Sequence, residues 1–279
     1  MKTALITGGT DGIGKGLVLH YLNKGYKVFA VGSNKAKGQK LIDETQNPNL
    51  TFLQADLSLV SENLKIVKTV SEQTNALDAL ILCAASLKPQ ASYIETTEGT
   101  EFTFSLYYLS RYVLCHQLKS LLEKSEAPII LNVAAPGMKS AVSWDDLQMK
   151  QKYNGQQAQF HGSRLNDLLG VWFTEHDAVK KIRYILFNPM AARTPGAAKM
   201  AVNSGFMKLT MSLYYKFAGK DVSEIVKIIA KDVAATKTPG LSAYKLDKTV
   251  DLSMETFNKE NAEKLYLYTK NLVKLPFTE

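Results

Sequence analysis

Near its start the chain reads Thr3-Ala-Leu-Ile-Thr-Gly-Gly-Thr-Asp-Gly-Ile-Gly14, an apolar β-branched run that ends in closely spaced glycines. A helical pattern follows, because Ile13, Leu17 and Tyr21 recur at intervals of four residues and Gly25 offers a stop. The pattern predicts a strand, a tight turn and a helix. This order is typical of the first unit of an α/β fold with a parallel sheet.

The predicted turn extends from Gly8 to Gly14 with the spacing Gly8-x-x-x-Gly12-x-Gly14. Glycines allow the backbone to turn sharply, to approach a ligand without an intervening Cβ, and to pack the new helix against the strand. The unpaired N–H groups at a helix N-terminus favour an anion such as a pyrophosphate. The turn therefore predicts a dinucleotide site, and a purely structural turn without a ligand is the alternative.

Strand and helix patterns alternate along the rest of the chain. The sequence predicts a single doubly wound domain over residues 1–279, with about seven parallel strands and helices on both faces of the sheet. Long helical patterns cover Glu101 to Leu122, residues 196–235 and Met254 to Val273. Further strands are predicted at Lys27 to Val31, Leu50 to Ala55, Leu77 to Ala85, Pro128 to Val133, Arg183 to Phe187 and Leu241 to Lys245.

The composition indicates a globular, soluble chain, since 46% of its 279 residues are hydrophobic and 22% are charged. No signal peptide or run of about 18 apolar residues is evident, so the cytoplasm is the expected location. Cys83 and Cys115 lie in apolar surroundings and are interpreted as reduced thiols, and the four histidines have no metal-ligand spacing. The net charge of +8 is spread along the chain without a nucleic-acid-binding motif.

The end of the second strand bears on the choice of nucleotide. An Asp or Glu there would bind the ribose 2′-hydroxyl of NAD, whereas basic residues accommodate the 2′-phosphate of NADP. The chain reads Gly32-Ser33-Asn34-Lys35 and has no carboxylate at this point, while Lys15 and Lys37 are near in sequence. These residues favour NADP(H) as the cofactor, and simple solvation of the lysines is the alternative.

Thr7-Gly-x-x-x-Gly-x-Gly14 in this position resembles the short-chain dehydrogenase/reductase family. Trp144-Asp-Asp-Leu-Gln148, Lys152-Tyr-Asn-Gly155 and Ala262-Glu-Lys-Leu-Tyr266 are most similar to its branch that contains retinol dehydrogenases. The resemblance implies a Rossmann-type fold and a homo-oligomer. It also implies a cofactor site formed by Gly8, Thr10, Asp11, Gly12, Ile13, Gly14, Ser33, Asn34, Lys35, Asp56, Leu57, Ala84, Ala85, Arg164 and Pro189.

The family uses a tyrosine to exchange a proton, a lysine one turn later, a serine that positions a carbonyl, and an asparagine in a proton relay. At these four positions the chain has Phe160, Arg164, Ala135 and Tyr107. Phe160 cannot exchange a proton and Ala135 cannot hydrogen-bond a carbonyl, although Arg164 keeps a cation. Because loss of general acid catalysis typically costs about 10²–10⁴ in rate, ordinary carbonyl reduction by the family mechanism is not expected.

Other side chains could substitute for the missing groups. Tyr107 could bring a phenol into the site from the opposite wall, with a packed aromatic as the alternative. His161 is expected to point away from the nicotinamide, because neighbouring helical residues lie about 100° apart. Ser140, Ser143 and Tyr153 lie on the loop that borders the predicted site.

Three functions are consistent with this sequence. The first is an NADP(H)-dependent reductase with an altered site, acting on an iminium or an activated alkene that needs less help from a phenol. The second is a non-redox catalyst such as an isomerase, dehydratase or cyclase, and the third is a catalytically silent NADP-binding protein that acts through a partner. Aromatic and methionine residues between Phe206 and Phe217, within a predicted substrate lid over 196–235, suit a large apolar ligand, with core packing or a dimer contact as equal alternatives and membrane-surface contact as a third.

Overall fold

Ten strands and nine helices are present in the computed structural model, which describes residues 1–86, 88–194 and 219–275. Each strand is short, as expected for a parallel sheet with connecting helices. The strands are β1 (Thr3–Thr7), β2 (Lys27–Gly32), β3 (Leu50–Gln54), β4 (Ala79–Leu82), β5 (Ile129–Val133), β6 (Arg183–Asn188), β7 (Ala192–Arg193), β8 (Lys220–Asp221), β9 (Gly240–Lys245) and β10 (Lys248–Thr249).

Eight of these strands form one sheet in the order β10-β9-β6-β5-β4-β1-β2-β3. All neighbouring strands from β3 to β9 are parallel, and only the short β10 pairs antiparallel with β9. The prediction of a doubly wound parallel sheet is therefore confirmed, with seven parallel strands and β10 added at one edge. The two-residue strands β7 and β8 pair with each other in a separate small sheet.

Helices cover both faces of the large sheet. They are α1 (Gly12–Asn23), α2 (Lys35–Thr45), α3 (Val60–Gln73), α4 (Phe102–Phe104), α5 (Ser110–Gln117), α6 (Lys119–Glu123), α7 (Gly155–Glu175), α8 (Val222–Ala235) and α9 (Lys259–Val273). A π-helical turn at Ser105–Leu109 joins α4 to α5, and a 3₁₀ turn at Glu255–Phe257 precedes α9.

Alternate residues of each strand enter two separate hydrophobic cores. Leu5 and Leu80 belong to the core beneath α3, α5, α7 and α9, whereas Ile6 and Ile81 belong to the core beneath α1 and α8. Both faces of the strands are thus buried, which explains why the strand sequences are continuously apolar rather than alternating. Because these strands are parallel, their carboxyl ends meet at one edge of the sheet, where ligands bind in this architecture.

Several predicted boundaries are wrong for identifiable reasons. The helix predicted over Glu101 to Leu122 begins at Phe102, where the Glu101 carboxylate accepts a hydrogen bond from the Phe104 N–H at 2.6 Å, and it is interrupted at Leu118. The last helix begins at Lys259 rather than Met254, because the Asn258 side chain caps it by accepting from the Asn261 N–H at 2.9 Å.

The predicted substrate lid over 196–235 falls partly outside the described residues. Its described part consists of β8 and α8, so a helix is present only from Val222 onward in that part. The aromatic segment from Phe206 to Phe217 is also outside the described residues. Throughout the part of the chain that the structure describes, every helix is too short or too polar to cross a bilayer.

Candidate active site

The turn between β1 and α1, which we call the glycine cradle, packs so closely that Gly8 and Gly14 leave no room for a side chain. Gly8 has a φ of +64°, and a Cβ there would lie 3.0 Å from the backbone N of Ala84. A Cβ on Gly14 would lie 2.2 Å from the carbonyl oxygen of Gly8. Glycine is therefore required at both positions, as expected where a helix N-terminus must pack closely against the end of a strand.

The N-terminus of α1 is capped by Asp11, whose carboxylate accepts a hydrogen bond from the Gly12 N–H at 2.8 Å. Asp11 also forms an ion pair with Lys37, and Lys15 forms one with Glu44 at 2.6 Å. Two of the three lysines that favoured NADP(H) are therefore paired within the protein, although both remain partly exposed.

The residues after β2 and β3 form the adjacent part of this edge. Asn34 caps α2 by accepting from the Lys37 N–H at 2.9 Å, and the Ser33 carbonyl accepts from the Gln54 side chain at 3.3 Å. The Asp56 carboxylate accepts from the Ser58 N–H at 3.0 Å and from its hydroxyl at 2.7 Å. Leu57 is buried in the core. This edge is therefore ordered by local side-chain to backbone hydrogen bonds.

The ends of β4 and β6 complete the edge of the sheet. The Thr7 hydroxyl accepts hydrogen bonds from the N–H groups of Cys83 and Ala84, at 3.1 and 3.2 Å, which holds the segment after β4 close to the glycine turn. Pro189 follows β6, and Met190 adopts a φ of +55° with its N–H donating to the Asn188 side chain at 2.8 Å. Met190 thus adopts a left-handed backbone, a conformation that glycine adopts without strain.

A cavity of about 180 Å³ lies beside this edge, between α7 and the segment from α4 to α5. Most of its wall is apolar. Three of the four positions assigned from the family tetrad line it, namely Tyr107, Ala135 and Phe160, and the Phe160 ring is 38% exposed. The full lining is Ala85, Ser86, Thr103, Leu106, Tyr107, Ala135, Met138, Gln159, Phe160 and Ser163.

Tyr107 and Ser163 supply two hydroxyl groups to this cavity. Their oxygens are 3.2 Å apart, and the Ser163 hydroxyl is also within hydrogen-bond distance of the Gln159 carbonyl, at 3.2 Å. The Tyr107 ring packs where Gly162 leaves space, since a Cβ on Gly162 would lie 2.7 Å from the ring. The Tyr107 ring therefore packs against α7 and forms part of the cavity wall.

Arg164 does not line the cavity but is buried in an ion pair. One of its nitrogens lies 2.6 Å from the Asp167 carboxylate, and the two side chains are 1% and 0% exposed. The guanidinium also donates to the Ala135 carbonyl at 2.6 Å and to the Thr256 hydroxyl. Thr256 in turn donates to Asp167 at 2.8 Å. Arg164 thus links α7 to the loop after β5 and to the 3₁₀ turn.

Arg111, Asp167 and Thr256 were not predicted as site residues. Arg111 is buried, and its guanidinium lies 4.5 Å from the centre of the Tyr107 ring, which lines the cavity. A signal for it was present in the sequence, because Arg111 follows Tyr107 by four residues and so shares its helix face. The sequence offers no such signal for Thr256, because this residue lies 92 positions from Arg164, whose guanidinium donates to its hydroxyl.

Comparison with known proteins assigns the family. A family model described as short chain dehydrogenase matches residues 2–144. The chain belongs to the short-chain dehydrogenase family. Polyprenol dehydrogenase of Homo sapiens is 29% identical over 163 residues, which cover 55% of this chain and 48% of that protein. The chain spans about half the length of curated relatives such as this one.

Solved structures of reductases have the same fold as this chain. A 3-ketoacyl-(acyl-carrier-protein) reductase from Brucella melitensis, complexed with NADH, has a TM-score of 0.67 and 19% identity, covering 88% of this chain and 96% of its own. An NADPH-bound carbonyl reductase from chicken fatty liver has a TM-score of 0.65 and 17% identity, covering 90% and 98%. Both likenesses support the doubly wound fold described above.

Two further polar residues near the predicted site, His161 and Tyr153, are outside the cavity lining and bond to other groups. His161 is buried, and its Nε2 accepts a hydrogen bond from the Ser143 N–H at 3.2 Å. The Tyr153 hydroxyl lies 2.9 Å from the Glu101 carboxylate, to which it donates, and burial raises the pKa of Tyr153 to about 12. In the described residues, no group of His, Cys, Asp or Glu is arranged to hold a metal ion.

We expect the contribution of His161 to stability to be lost in acid. Burial lowers the pKa of His161 from 6.5 to about 4, so the unfolded chain binds a proton in this interval while the folded protein does not. The contribution of His161 to the free energy of unfolding should be complete above about pH 6.5 and should fall by up to roughly 3 kcal/mol towards pH 4, whereas burial raises the pKa of Asp167 to about 7 and shifts stability in the opposite sense. Urea unfolding across this pH range measures the loss.

The matched variant for this prediction is His161→Gln, whose amide oxygen can still accept from the Ser143 N–H. The difference in free energy of unfolding between the original chain and His161→Gln should shift by up to roughly 3 kcal/mol between pH 6.5 and pH 4. Some pH dependence should remain in the variant at lower pH, because burial also lowers the pKa of His116 to about 3. Identical pH profiles for the two proteins would contradict the assignment to His161.

Proposed function

We propose that this chain is an NADP(H)-dependent oxidoreductase that reduces a small apolar molecule with an activated acceptor, either an iminium or an alkene conjugated to a carbonyl. The observation that carries the proposal is the cavity of about 180 Å³ with Phe160 and Ala135 in its wall. It lies next to a glycine cradle at the carboxyl edge of the sheet. The cavity has room for a ligand, but these two positions offer it no hydrogen-bond donor or acceptor.

The cradle fits a dinucleotide. Its glycines let the start of α1 pack against the end of β1, since a Cβ at Gly8 or Gly14 would collide with neighbouring backbone, and a helix N-terminus in this position favours a pyrophosphate. The nicotinamide would supply hydride when bound. The two solved structures contain NADH and NADPH respectively. The choice of NADP(H) here depends on Ser33-Asn34-Lys35, where no carboxylate is present to repel a 2′-phosphate.

The apolar wall favours acceptors that are already polarised. A simple ketone develops negative charge on its oxygen as hydride arrives and needs a proton donor at the tyrosine position of the family, where this chain has Phe160. An iminium is cationic before hydride arrives, and a conjugated alkene spreads the developing negative charge over its α-carbon and its carbonyl oxygen, away from the β-carbon that accepts hydride. Such substrates depend less on the tyrosine and lysine that the family has where this chain has Phe160 and Arg164.

The test is nicotinamide binding followed by turnover. Calorimetry should show that NADPH binds about tenfold more tightly than NADH, as expected if a hydrogen bond from Lys35 to the charged 2′-phosphate contributes about 1.5 kcal/mol. Nicotinamide absorbance should then fall with imines and conjugated enones and stay constant with simple ketones. Failure to bind either nucleotide, or oxidation with simple ketones alone, would overturn the proposal.

A catalytically silent NADP-binding protein is the second candidate, and the buried pair of Arg164 and Asp167 favours it. Arg164 occupies the position of the family lysine but directs its guanidinium to the Ala135 carbonyl, Thr256 and Asp167. For such a protein, NADPH would raise the melting temperature while no member of the substrate panel consumed it.

A further inference from the structure

A tyrosine and an arginine share one face of the helical segment across the cavity from α7. Tyr107 is part of the π-helical turn and Arg111 of α5, four residues later. The Arg111 guanidinium lies 4.5 Å from the centre of the Tyr107 ring, within the range of a cation–π contact. Tyr107 lines the cavity together with Ser163, and the hydroxyl oxygens of the two residues are 3.2 Å apart.

Arg111 is a buried cation without a carboxylate partner in the described part of the chain. It donates to the Val133 carbonyl at 3.0 Å, to the Ala84 carbonyl at 3.2 Å and to the Asn132 side chain. The carbonyls of Ala84 and Val133 lie at the carboxyl ends of β4 and β5. Burial of an uncompensated charge is costly, so such a charge at this edge indicates a site where negative charge develops.

Asn132 fixes the orientation of the Arg111 guanidinium. The Asn132 amide N–H₂ donates to Asn166 and to the Tyr184 hydroxyl, both at 2.9 Å, which leaves its oxygen to face Arg111. Asn132 and Asn166 are fully buried. The guanidinium is thus held in place by a hydrogen-bonded network before any ligand binds, as electrostatic preorganisation requires.

We propose that Tyr107 is the proton donor of this site and that Arg111 is the positioning residue that stabilises negative charge on its phenol. The family carries its phenol and cation on α7 as Tyr-x-x-x-Lys, whereas this chain carries them on the facing segment as Tyr107-x-x-x-Arg111. The inference rests on the proposed function and narrows its substrate to an alkene conjugated to a carbonyl.

The proposed step delivers hydride to the β-carbon of the alkene and a proton from Tyr107 to its carbonyl oxygen. As the β-carbon accepts hydride, its π electrons move towards the carbonyl carbon and a pair shifts onto the carbonyl oxygen. The O–H bond of Tyr107 breaks and a new O–H bond forms on that oxygen, giving an enol that returns to the carbonyl form. The Tyr107 phenolate recovers a proton from solvent. Ser163 can rotate its hydroxyl from the Gln159 carbonyl to donate to Tyr107 meanwhile.

Tyr107→Phe tests the proposal directly, with Tyr108→Phe as the matched control. Tyr108 is the next residue, but its hydroxyl bonds to Thr269 of α9 at 2.7 Å, on the side away from the cavity. The probe is 4-nitrophenol, whose anion mimics the enolate oxygen and absorbs visible light. The anion should bind about 10–100-fold more weakly to Tyr107→Phe, as expected for one lost hydrogen bond to a charged group, and equally well to Tyr108→Phe.

Arg111→Lys and Arg111→Met test the role of the cation. The lysine variant should keep the affinity for the nitrophenolate anion within about tenfold, whereas the methionine variant should lose at least tenfold and should bind neutral 4-nitrophenol preferentially. If Arg111→Met does not fold, the Tyr107→Phe titration decides alone. Unchanged affinity of Tyr107→Phe for the anion would overturn the assignment of Tyr107.

These titrations need no nicotinamide, so the two proposals fail separately. Absence of NADPH binding in the original chain overturns the proposed function, whereas the nitrophenolate titrations still decide whether Tyr107 and Arg111 bind an oxyanion. Where the original chain does reduce enones, Tyr107→Phe should lower kcat by about 10²–10⁴ and leave nucleotide binding unchanged. An unchanged kcat would overturn this inference alone.

Discussion

Replacing Asp167 with alanine should lower the free energy of unfolding by about 3–5 kcal/mol, because the change leaves the Arg164 charge buried without its anion. The pair is nearly inaccessible to solvent, and the Asp167 carboxylate also accepts from Thr256 at 2.8 Å and from the Gly137 N–H at 3.1 Å. Three elements therefore lose a common partner. Urea unfolding at neutral pH measures the change.

The control is Glu72→Ala, which removes an ion pair that is exposed to solvent. Glu72 pairs with Lys68 at 3.9 Å, and the two side chains are 62% and 78% exposed. Its loss should change stability by less than about 1 kcal/mol. A double variant, Arg164→Met with Asp167→Leu, should recover most of the stability, since apolar side chains of similar size often replace a buried pair. An Asp167→Ala loss no larger than that of Glu72→Ala would contradict the argument.

The sheet could be predicted from the sequence because its physical signals are local. A strand buried on both faces must be apolar along its whole length, and a glycine turn must follow the first strand if the helix is to pack against it. The observed edges differ from the predicted ones where a tertiary contact ends the strand. Strand β4 stops at Leu82, and the next two N–H groups bond to the Thr7 hydroxyl instead of continuing the ladder.

The sequence predicts which positions converge at the carboxyl edge of the sheet, but it does not predict how their side chains interact. Tyr107, Ala135 and Phe160 line one cavity because the topology brings the carboxyl ends of the strands and the two flanking helical segments together. The sequence gives no sign that Arg164 is directed away from this cavity, since that depends on Thr256. The sequence likewise shows a cation at position 111, but the burial of the Arg111 side chain against the Tyr107 ring follows from the packing of α5.

The π-helical turn illustrates the same limit. A continuous apolar pattern from Glu101 to Leu122 predicts one regular helix, whereas the structure inserts one wide turn at Ser105–Leu109. Such turns are frequently found at functional sites, and this one contains Tyr107. Hydrophobic periodicity tolerates the extra residue, so the pattern alone does not locate the turn.

Gly14→Ala should be among the most damaging single substitutions in the described part of the chain, lowering the free energy of unfolding by about 3 kcal/mol or more. The added Cβ would lie 2.2 Å from the Gly8 carbonyl oxygen, and no side-chain rotation can relieve a contact with the backbone. Either the turn or the start of α1 must move, so NADPH binding should be lost together with stability. Thermal unfolding and calorimetry with NADPH measure the two effects.

Gly25→Ala separates this crowding from the general cost of replacing a glycine. Gly25 follows α1 at a φ of +76°, and a Cβ there meets nothing within 4 Å. The substitution should cost only about 1–2 kcal/mol, from the strain of an L-residue in the left-handed region, and should leave NADPH affinity unchanged in the folded fraction. If Gly14→Ala bound NADPH as tightly as Gly25→Ala, the close packing of the cradle would not be what admits the nucleotide, and the proposed cofactor site would lose its main support.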